Sequence, residues 1–273
     1  VLCPASKVAK IIPSHYANLE SINALANQVD VLTFESENIP VDSLQNLTIP
    51  LFPSCEALKV AQDRLSEKQF FFFFQVPVTE FMSVEQKSDL HRAIEQFGLP
   101  ILLKTRRHGY DGKGQVIIRK NEEVDAAFEA FASHALIVEK WVPFDREVSL
   151  IAVRNQNGKI LFYPLTENVH HEGILRLSKA PFINDNLIQK AQMYLTAILE
   201  KLNYVGVLTV EFFVKGDLLI ANEMAPRVHN SGHWTIEGAV TSQFENHLRA
   251  ILDLPLGGVD PVGYSAMVNF IGD

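Results

Sequence analysis

The sequence predicts a mixed α/β (α+β) protein, with a parallel α/β unit at its N-terminus and a larger α+β region behind it. In the first unit, helical spacing over residues 19–29 leads into the short apolar run 30–34, an order typical of a parallel sheet. Further along, short strands alternate with amphipathic helices and hairpin turns. The composition, 47% apolar with 14 Gly and 13 Pro in 273 residues, is that of a globular protein. Disorder, a collagen-like repeat and a disulfide scaffold are therefore excluded.

Charge and cysteine content narrow the possible partners. A net charge of −8 repels nucleic acid and anionic lipid, so any anion site must be a local basic cluster. Cys3 and Cys55 are too few and too far apart for a cysteine metal site, and their scarcity favours a reducing, cytoplasmic location. Neither a membrane span nor a targeting signal is visible. We expect a fragment trimmed at both ends, because the chain opens at Val1 in mid-pattern and stops where a strand is running.

Apolar spacing and turn residues predict the later elements. One helix should begin at Pro53-Ser54 and carry Leu58, Ala61 and Leu65 on one stripe. The next should be capped by Ser83 and Gln86 and end at Gly98. The remaining predicted elements are strands 101–104, 115–118 and 135–139, a helix from Val124 to Phe131, a hairpin of 147–154 and 160–165, a long helix from Leu187 to Leu202, a hairpin of 207–214 and 218–223, and a helix at 241–252. The expected domains are 1–55, 56–140, 141–254 and 255–273.

Five consecutive phenylalanines, Phe70 to Phe74, stand out in the predicted linker helix. A helix end buried between two layers is the first interpretation, since burying one Phe contributes about 1.5–3 kcal/mol. An exposed patch for a partner and an error in the sequence are the alternatives. Together with the apolar C-terminal strand, the run leaves room for a homodimer.

A loop between the first two strands of the α+β region concentrates glycine and positive charge. The basic residues are Lys104, Arg106, Arg107 and Lys113, and the glycines are Gly109, Gly112 and Gly114. Glycines let the backbone approach a bulky anion with its N–H groups facing it. In an acidic protein, the cluster indicates a polyphosphate ligand. The alternative is a flexible hairpin loop with solvated charges, since the spacing is not that of a P-loop.

Two glutamates on the last predicted hairpin suggest a metal site. With a three-residue turn, Val214 pairs with Leu218. Glu211 then faces Ala221, and Glu223 lies two residues further along the same face, with a backbone separation of ~7–8 Å. Two carboxylates with few His or Cys nearby favour Mg²⁺ over zinc. A slip of one residue in register would place the two acids on opposite faces. Two solvated acids on an exposed strand are the alternative reading.

Two further segments are suited to ligand contacts. Arg227, His229, Asn230 and Ser231 form a dense polar loop directly after the second glutamate, and such loops usually contact substrate, although a self-contained turn network is possible. The segment 139–142, followed by Glu147, offers backbone and acidic contacts for an adenine and a ribose. By itself this second pattern is one that many edge strands could carry.

In this order along the chain, the motifs resemble those of the ATP-grasp superfamily, and within it the 5-(carboxyamino)imidazole ribonucleotide synthase family of purine biosynthesis. The most specific segments are 62–68 (QDRLSEK), 109–115 (GYDGKGQ) and 222–233 (NEMAPRVHNSGH). The resemblance covers nearly all of the chain and implies an ATP-grasp fold with an N-terminal pre-ATP-grasp domain. It also implies that a glycine-rich strand turn should precede Val1 and that a basic segment should follow Asp273, both for the ribonucleotide phosphate.

The resemblance implies a ligase that carboxylates aminoimidazole ribonucleotide with bicarbonate, using ATP and Mg²⁺, with two ions possible. Bicarbonate would attack the γ-phosphate, and the glycine-rich loop would shield the resulting carboxyphosphate from water until the amine captures it. The residues implied for ATP are Arg64, Lys104, Gly109, Tyr110, Asp111, Gly112, Lys113, Gly114, Gln115, Glu139, Lys140, Val142, Glu147, His170, Asn222 and Glu223. Those implied for Mg²⁺ are Glu211 and Glu223, for catalysis Lys104 and Arg227, and for the other substrates Arg227, His229, Asn230 and Ser231.

Two alternatives stay open at the level of sequence. One is another ATP-grasp ligase, of the formate-dependent glycinamide ribonucleotide transformylase or biotin carboxylase type, which would share ATP and magnesium but not the acceptor. The other is a non-catalytic nucleotide-binding subunit. The presence of Glu211, Glu223 and Lys104 together argues against the second, because such a subunit has no need of the metal pair.

Overall fold

A computed structural model of the chain describes residues 4–109 and 112–270, which fold around two antiparallel sheets. The helices are α1 Leu19–Ala26, α2 Cys55–Ala61, α3 Arg64–Phe73, α4 Lys87–Phe97, α5 Val124–Phe131, α6 Asp185–Lys201, α7 Thr235–Gly238 and α8 Gln243–Ile251. The strands are β1 Phe81–Val84, β2 Ile101–Thr105, β3 Gln115–Ile118, β4 Leu136–Lys140, β5 Arg146–Arg154, β6 Ile160–Phe162, β7 Thr166–His171, β8 Ile174–Ala180, β9 Gly206–Lys215, β10 Leu218–Ala225 and β11 Ser265–Val268. None of the described helices is long and apolar enough to cross a membrane.

The smaller sheet has the order β1-β4-β2-β3, and α4 and α5 cover it through a core of its own. The three predicted strands of this unit and the helix from Val124 to Phe131 are confirmed to within a residue, whereas β1 was not predicted. The predicted cap of α4 is wrong by one turn. Ser83 lies in β1, and the capping box is formed by Gln86 with Asp89, whose carboxylate accepts the Gln86 backbone N–H at 3.1 Å.

The larger sheet has the order β10-β9-β5-β7-β8-β11, with β6 paired to β5. One face packs on α6, which buries Leu187, Ala191, Leu195 and Ile198 as its spacing predicts. Strands β7 and β8, which follow the first predicted hairpin, were not anticipated from the sequence, because their polar and charged positions alternate with few apolar ones. The polar face of this sheet carries the candidate site.

The N-terminal region has the parallel pairing that the sequence predicts, although it is short. Leu32 and Leu51 form a single parallel bridge, and α1 ends at Ala26. A small core of Phe34, Val41, Leu44 and Leu58 joins this region to α2.

The single linker helix predicted from Pro53 onward is two helices. Gln62 caps the end of α2, and the Asp63 carboxylate caps the start of α3 by accepting the backbone N–H groups of Leu65 and Ser66 at 3.0 and 3.3 Å. Leu65 therefore belongs to α3 rather than to the stripe of Leu58 and Ala61. The break redirects α3 towards both sheets.

The five phenylalanines are divided between core and surface, as a helical period requires. Phe71 is fully buried in the main core, and Phe70 packs against it. Phe72 and Phe73 are 72% and 75% exposed. The interpretation that the whole run is buried is therefore wrong, and an exposed aromatic pair lies at the end of α3.

A buried histidine ties the N-terminal region to the larger sheet. In α8, His247 Nδ1 accepts the backbone N–H of Val207 at 3.1 Å, and its Nε2 lies 2.8 Å from Thr33 Oγ1. The neutral ring therefore carries its proton on Nε2 and donates it to the threonine. Burial lowers the pKa of His247 to about 4, from an ordinary value of 6.5.

This contact predicts an acid-sensitive stability. The unfolded chain takes up a proton on His247 below pH 6.5, whereas the folded chain resists until about pH 4. Stability is thus intact above pH 6.5 and is lost as the pH falls towards 4, by about 3 kcal/mol. The measurement is urea unfolding of the wild type and of His247→Gln from pH 7.5 to 4.5. The advantage of the wild type should shrink with acid, and a constant difference across that range would contradict the assignment.

Candidate functional site

The two glutamates lie directly opposite each other on β9 and β10. The hairpin turn has two residues, not three, because Lys215 pairs with Leu218. If this register continued regularly, Glu223 would lie opposite Val210. Glu223 would then point to the other face of the sheet from Glu211, which is the result expected of a one-residue slip. A bulge between Ala221 and Glu223 restores the face, so that Glu223 pairs with Glu211 itself. The predicted pairing of Glu211 with Ala221 was wrong, and the two acids are closer than predicted.

Glu211 is a buried carboxylate that faces a second carboxylate. Its side chain is 10% exposed, and its Oε1 has no hydrogen-bond partner among the described residues. Burial, followed by the facing Glu223 carboxylate, raises the pKa of Glu211 to about 8. Glu223 itself lies at the exposed edge of the pair. Two facing carboxylates, one of them desolvated, form a site that a divalent cation would neutralise.

A second acid and a histidine flank this pair. Glu147 Oε2 on β5 lies 3.0 Å from His170 Nδ1 on β7, an ion-pair distance without the alignment of a hydrogen bond. Burial lowers the pKa of His170, but the Glu147 and Glu211 carboxylates outweigh it and the pKa is raised. The structure thus places the predicted Glu147, His170, Glu211 and Glu223 on one face of the larger sheet.

His229 faces Glu211 with a defined tautomer. Its Nδ1 accepts the backbone N–H of Ser231 at 3.3 Å and lies 2.9 Å from Ser231 Oγ, so the ring proton is on Nε2, 3.9 Å from Glu211 Oε1. Burial, then the neighbouring Arg227, lowers the pKa of His229 to about 3, which keeps the ring neutral. A chain of buried hydrogen bonds supports this ring, running from Ser178 through Asn168 and Ser149 to Ser231.

Lys104 and Glu139 meet between the two central strands of the smaller sheet. Lys104 Nζ donates to Glu139 Oε2 at 2.9 Å, and Lys68 Nζ lies 3.8 Å from the same oxygen. Burial raises the pKa of Glu139, but the two lysines outweigh burial and hold it below its usual range. The Lys140 side chain pairs with Glu80 at the surface, its backbone N–H donates to the Glu80 oxygen at 2.9 Å, and its backbone oxygen accepts the Thr79 hydroxyl at 2.8 Å.

The glycine-rich loop lies close to three other segments. A Cβ on Gly109 would meet Arg64 Nη1 at 2.8 Å, and one on Gly114 would meet Thr105 Oγ1 at 2.7 Å. Gly112 has φ +74°, and a Cβ there would meet the backbone oxygen of Glu172 at 2.8 Å. The loop therefore approaches the β7–β8 turn at Gly112, where a residue with a side chain would collide with the Glu172 backbone. Tyr110 and Asp111, also predicted to bind ATP, lie outside the described residues.

Two of the four basic residues assigned to the loop, Arg106 and Arg107, bind Asp63. Asp63 accepts Arg106 Nε and Nη2 at 3.0 and 2.8 Å, and Arg107 Nε at 3.3 Å. Arg64 donates to Thr105 and Gly109 backbone oxygens at 3.2 and 3.1 Å. These arginines hold the base of the loop rather than an open anion site.

Arg227 forms a two-pronged ion pair with Glu37 of the N-terminal region. Its Nη2 donates to Glu37 Oε1 at 2.9 Å, its Nε donates to Glu37 Oε2, and its Nη1 donates to the Val228 oxygen at 3.0 Å. Since a guanidinium has five N–H groups, two remain for an anion. The predicted substrate residues Asn230 and Ser231 follow in a short 3₁₀ turn, where the Asn230 Oδ1 is buried without a partner among the described residues.

Sequence reasoning gave no role to Glu37, which binds Arg227, or to Glu67 and Lys68, which bind the β10 backbone on either side of Glu223. Glu67 and Lys68 lie one turn after Asp63 and Arg64 on α3, and helical spacing from those two residues was the available signal. Glu37 had no such signal, because it lies 190 residues from its partner. The remaining predicted residues, Lys113, Gln115, Val142 and Asn222, lie in the loop, at the start of β3, after β4 and at the bulge.

Within residues 4–109 and 112–270, no group of three or more His, Cys, Asp or Glu side chains is arranged to hold a metal ion alone. This does not argue against Mg²⁺, which in nucleotide sites is bound by one or two carboxylates plus phosphates and waters. The unpaired Glu211 Oε1 opposite Glu223 fits that donor set.

Comparisons with known proteins agree with this geometry. The ATP-grasp domain profile matches residues 69–244, and the ribonucleotide synthetase preATP-grasp domain profile matches residues 1–62. The N5-carboxyaminoimidazole ribonucleotide synthase of Pseudomonas aeruginosa is 47% identical over 98% of this chain and 75% of its own length. The finer boundaries at 55, 140 and 254 stay predictions.

Solved structures give the same result. The N5-carboxyaminoimidazole ribonucleotide synthetase of Thermus thermophilus superimposes with a TM-score of 0.93 and 50% identity, over 98% of this chain and 74% of that one. The synthase of Aspergillus clavatus, in complex with ADP and the aminoimidazole ribonucleotide, superimposes with a TM-score of 0.91 at 31% identity, covering 99% and 74%. Identity of this extent, together with the matched profiles, shows that the chain belongs to the N5-carboxyaminoimidazole ribonucleotide synthase family of ATP-grasp proteins.

Proposed function

We propose that the protein catalyses the ATP-dependent carboxylation of 5-aminoimidazole ribonucleotide by bicarbonate, giving N5-carboxyaminoimidazole ribonucleotide, ADP and phosphate in purine biosynthesis. The observation that carries the proposal is the opposition of Glu211 and Glu223 beside Glu147, His170 and His229 in a chain of this family. The Aspergillus relative binds ADP and the aminoimidazole ribonucleotide, which supports an adenine nucleotide and this ribonucleotide as ligands here.

The chain's residues have separable roles in the proposed reaction. Glu211 and Glu223 would hold Mg²⁺, which when bound neutralises phosphate oxygens and polarises the γ-phosphoryl group. Lys104, whose ammonium has two N–H groups beyond the one given to Glu139, would donate to a phosphate. The closed glycine-rich loop would exclude water from carboxyphosphate, the short-lived product of bicarbonate attack.

The substrate side of the pair is lined by donors. His229 presents Nε2–H, and Arg227 keeps two N–H groups while Glu37 holds its plane. A neutral imidazole donor and a fixed guanidinium suit a small anion such as bicarbonate, because both groups bind its oxygens without taking up a proton. We propose that these two residues position bicarbonate against the γ-phosphate.

A cytoplasmic location and a homodimer are also proposed. The scarcity of cysteine in the sequence supports the first. Exposure of Phe72 and Phe73 supports the second.

The acceptor decides between this function and the other ATP-grasp ligases. ADP release should require aminoimidazole ribonucleotide and bicarbonate together, with ¹³C from bicarbonate appearing in the nucleotide product. Glycinamide ribonucleotide with formate, and biotin with bicarbonate, serve as the parallel reactions. ADP release that is equal or greater with either of them would contradict the proposed acceptor.

Removing one charge from the acidic pair should stop turnover without unfolding the protein. Glu223→Gln is expected to lower ADP release by roughly 100-fold, the scale of losing one preorganised charge in an active site. Glu223 is exposed, so the variant should keep its circular dichroism spectrum and unfolding midpoint. Asp217→Asn, at the exposed turn of the same hairpin, is the matched control. Wild-type turnover by Glu223→Gln at ordinary magnesium would remove Glu223 from the metal site.

Closure of the loop should depend on Gly112. Gly112→Val adds a Cβ that meets the Glu172 backbone oxygen, at a φ of +74°. Gly98→Val introduces the same backbone strain at φ +75°, with nothing within 4 Å of the added Cβ. The KM for ATP should rise about tenfold in Gly112→Val alone, because only that change blocks the closed loop. Equal KM values for the two variants would show that close approach to the β7–β8 turn is not needed.

A further inference from the structure

Two buried, charged residues of α3 contact the bulge that carries Glu223. Lys68 Nζ donates to the backbone oxygens of Ala221 and Asn222 at 3.1 and 2.8 Å. Glu67 Oε1 accepts the backbone N–H of Met224 at 2.7 Å. The bonds therefore fall on both sides of Glu223, and they use the backbone of β10 rather than its side chains.

Burying these two ionisable side chains costs free energy, which exposure on the surface of the helix would avoid. Lys68 is 1% exposed and Glu67 is 2% exposed. Charged groups are almost never buried to this extent unless they are paired or bonded to specific partners. Their shared partner is the irregular stretch of β10, since the nearest carboxylate oxygen to Lys68 lies 3.8 Å away, on Glu139.

The bulge needs such support. A bulge leaves one residue out of the ladder, so backbone groups that would pair with β9 must find other partners. Lys68 and Glu67 supply a donor and an acceptor to the backbone groups of Ala221, Asn222 and Met224 around the bulge. A register continued regularly from Lys215 and Leu218 would instead bring Glu223 opposite Val210.

The same helix also holds the base of the glycine-rich loop. One turn before Glu67 and Lys68, Asp63 binds Arg106, and Arg64 binds the Gly109 oxygen. Successive turns of α3 thus support the loop and the bulge, and a rigid helix fixes the distance between them.

We propose that Glu67 and Lys68 are positioning residues, which hold the β10 bulge and so set the second carboxylate of the metal site opposite the first. The inference rests on the proposed function for the role of the carboxylates, but the bulge itself can be tested without metal. Neither residue needs to touch a substrate. Their effect on the reaction passes through the direction in which Glu223 points.

Disulfide trapping shows which residues of β9 and β10 face each other. In a background with Cys3→Ser and Cys55→Ser, the pair Glu211→Cys with Glu223→Cys should oxidise to a disulfide, because directly opposed residues have Cα atoms about 4.5–5.5 Å apart. The reciprocal pair, Val210→Cys with Glu223→Cys, reports the regular register and should not cross-link. Adding Lys68→Met should reverse the two yields. An unchanged 211–223 yield in folded Lys68→Met protein would overturn the proposal.

Matched variants separate the bulge from general destabilisation. Lys190→Met removes a lysine that donates to the Asp217 oxygen at 2.7 Å, on the turn of the same hairpin, and should leave both cross-links unchanged. Glu67→Gln keeps an oxygen acceptor for Met224 and should retain the 211–223 cross-link, whereas Glu67→Leu should lose it. If Lys68→Met does not fold, this second pair decides, and equal cross-linking by Glu67→Gln and Glu67→Leu would overturn the proposal.

Metal binding without turnover completes the test. Mn²⁺ titrated into the protein with ADP, followed by electron paramagnetic resonance, should bind at least about tenfold more weakly to Lys68→Met and Glu67→Leu than to Lys190→Met and Glu67→Gln. Wild-type affinity in folded Lys68→Met would overturn the positioning role. Absence of Mn²⁺ binding to the wild type would instead contradict the proposed metal site, while the cross-links would still report the bulge.

Discussion

The candidate site depends on one irregularity in a β-ladder. Side chains alternate between the two faces of a strand, so a single extra residue decides whether Glu223 joins Glu211 or points away from it. The bulge at Asn222 provides that residue, and the two carboxylates become direct cross-strand neighbours. Like charges directly opposite each other are destabilising, and this repulsion is relieved either by protonation of Glu211, whose pKa is raised to about 8, or by a bound cation. The repulsion between the two carboxylates and the proposed metal site thus arise from the same bulge.

Burial sets the electrostatics of the surrounding groups. Burial and the facing Glu223 carboxylate raise the pKa of Glu211 to about 8, although the charges of His170 and Arg227 act in the opposite direction. Glu139, which is equally buried, has Lys104 and Lys68 beside it, and its pKa falls. The pKa values of these two buried carboxylates are therefore shifted in opposite directions, because Glu139 is paired with lysines and Glu211 faces a second acid.

The N-terminal region contributes to the site rather than only preceding it. Glu37 holds the Arg227 guanidinium, and Thr33 contacts His247 behind the sheet. Both contacts join residues separated by about two hundred positions in the chain. The N-terminal region consequently sets the plane of the Arg227 guanidinium and the direction of the two N–H groups left for an anion. The acidic pair is carried by other elements, β9 and β10.

The sequence by itself determined the class of fold, most helices and strands, and the identity of the two acids, because apolar periodicity and turn residues are local signals. It also predicted, through the order of motifs along the chain, that the glycine-rich loop and the Arg227 loop lie near the acidic pair. Only the tertiary structure decided the register. The turn was one residue shorter than expected, and the bulge that compensates for it is bonded to Glu67 and Lys68, more than 150 residues away. Likewise, Arg106 and Arg107 look like phosphate ligands by composition, but Asp63 binds them. Hydrogen bonds and ion pairs between distant residues leave no periodic trace in a sequence, so these features became visible only once the chain was folded.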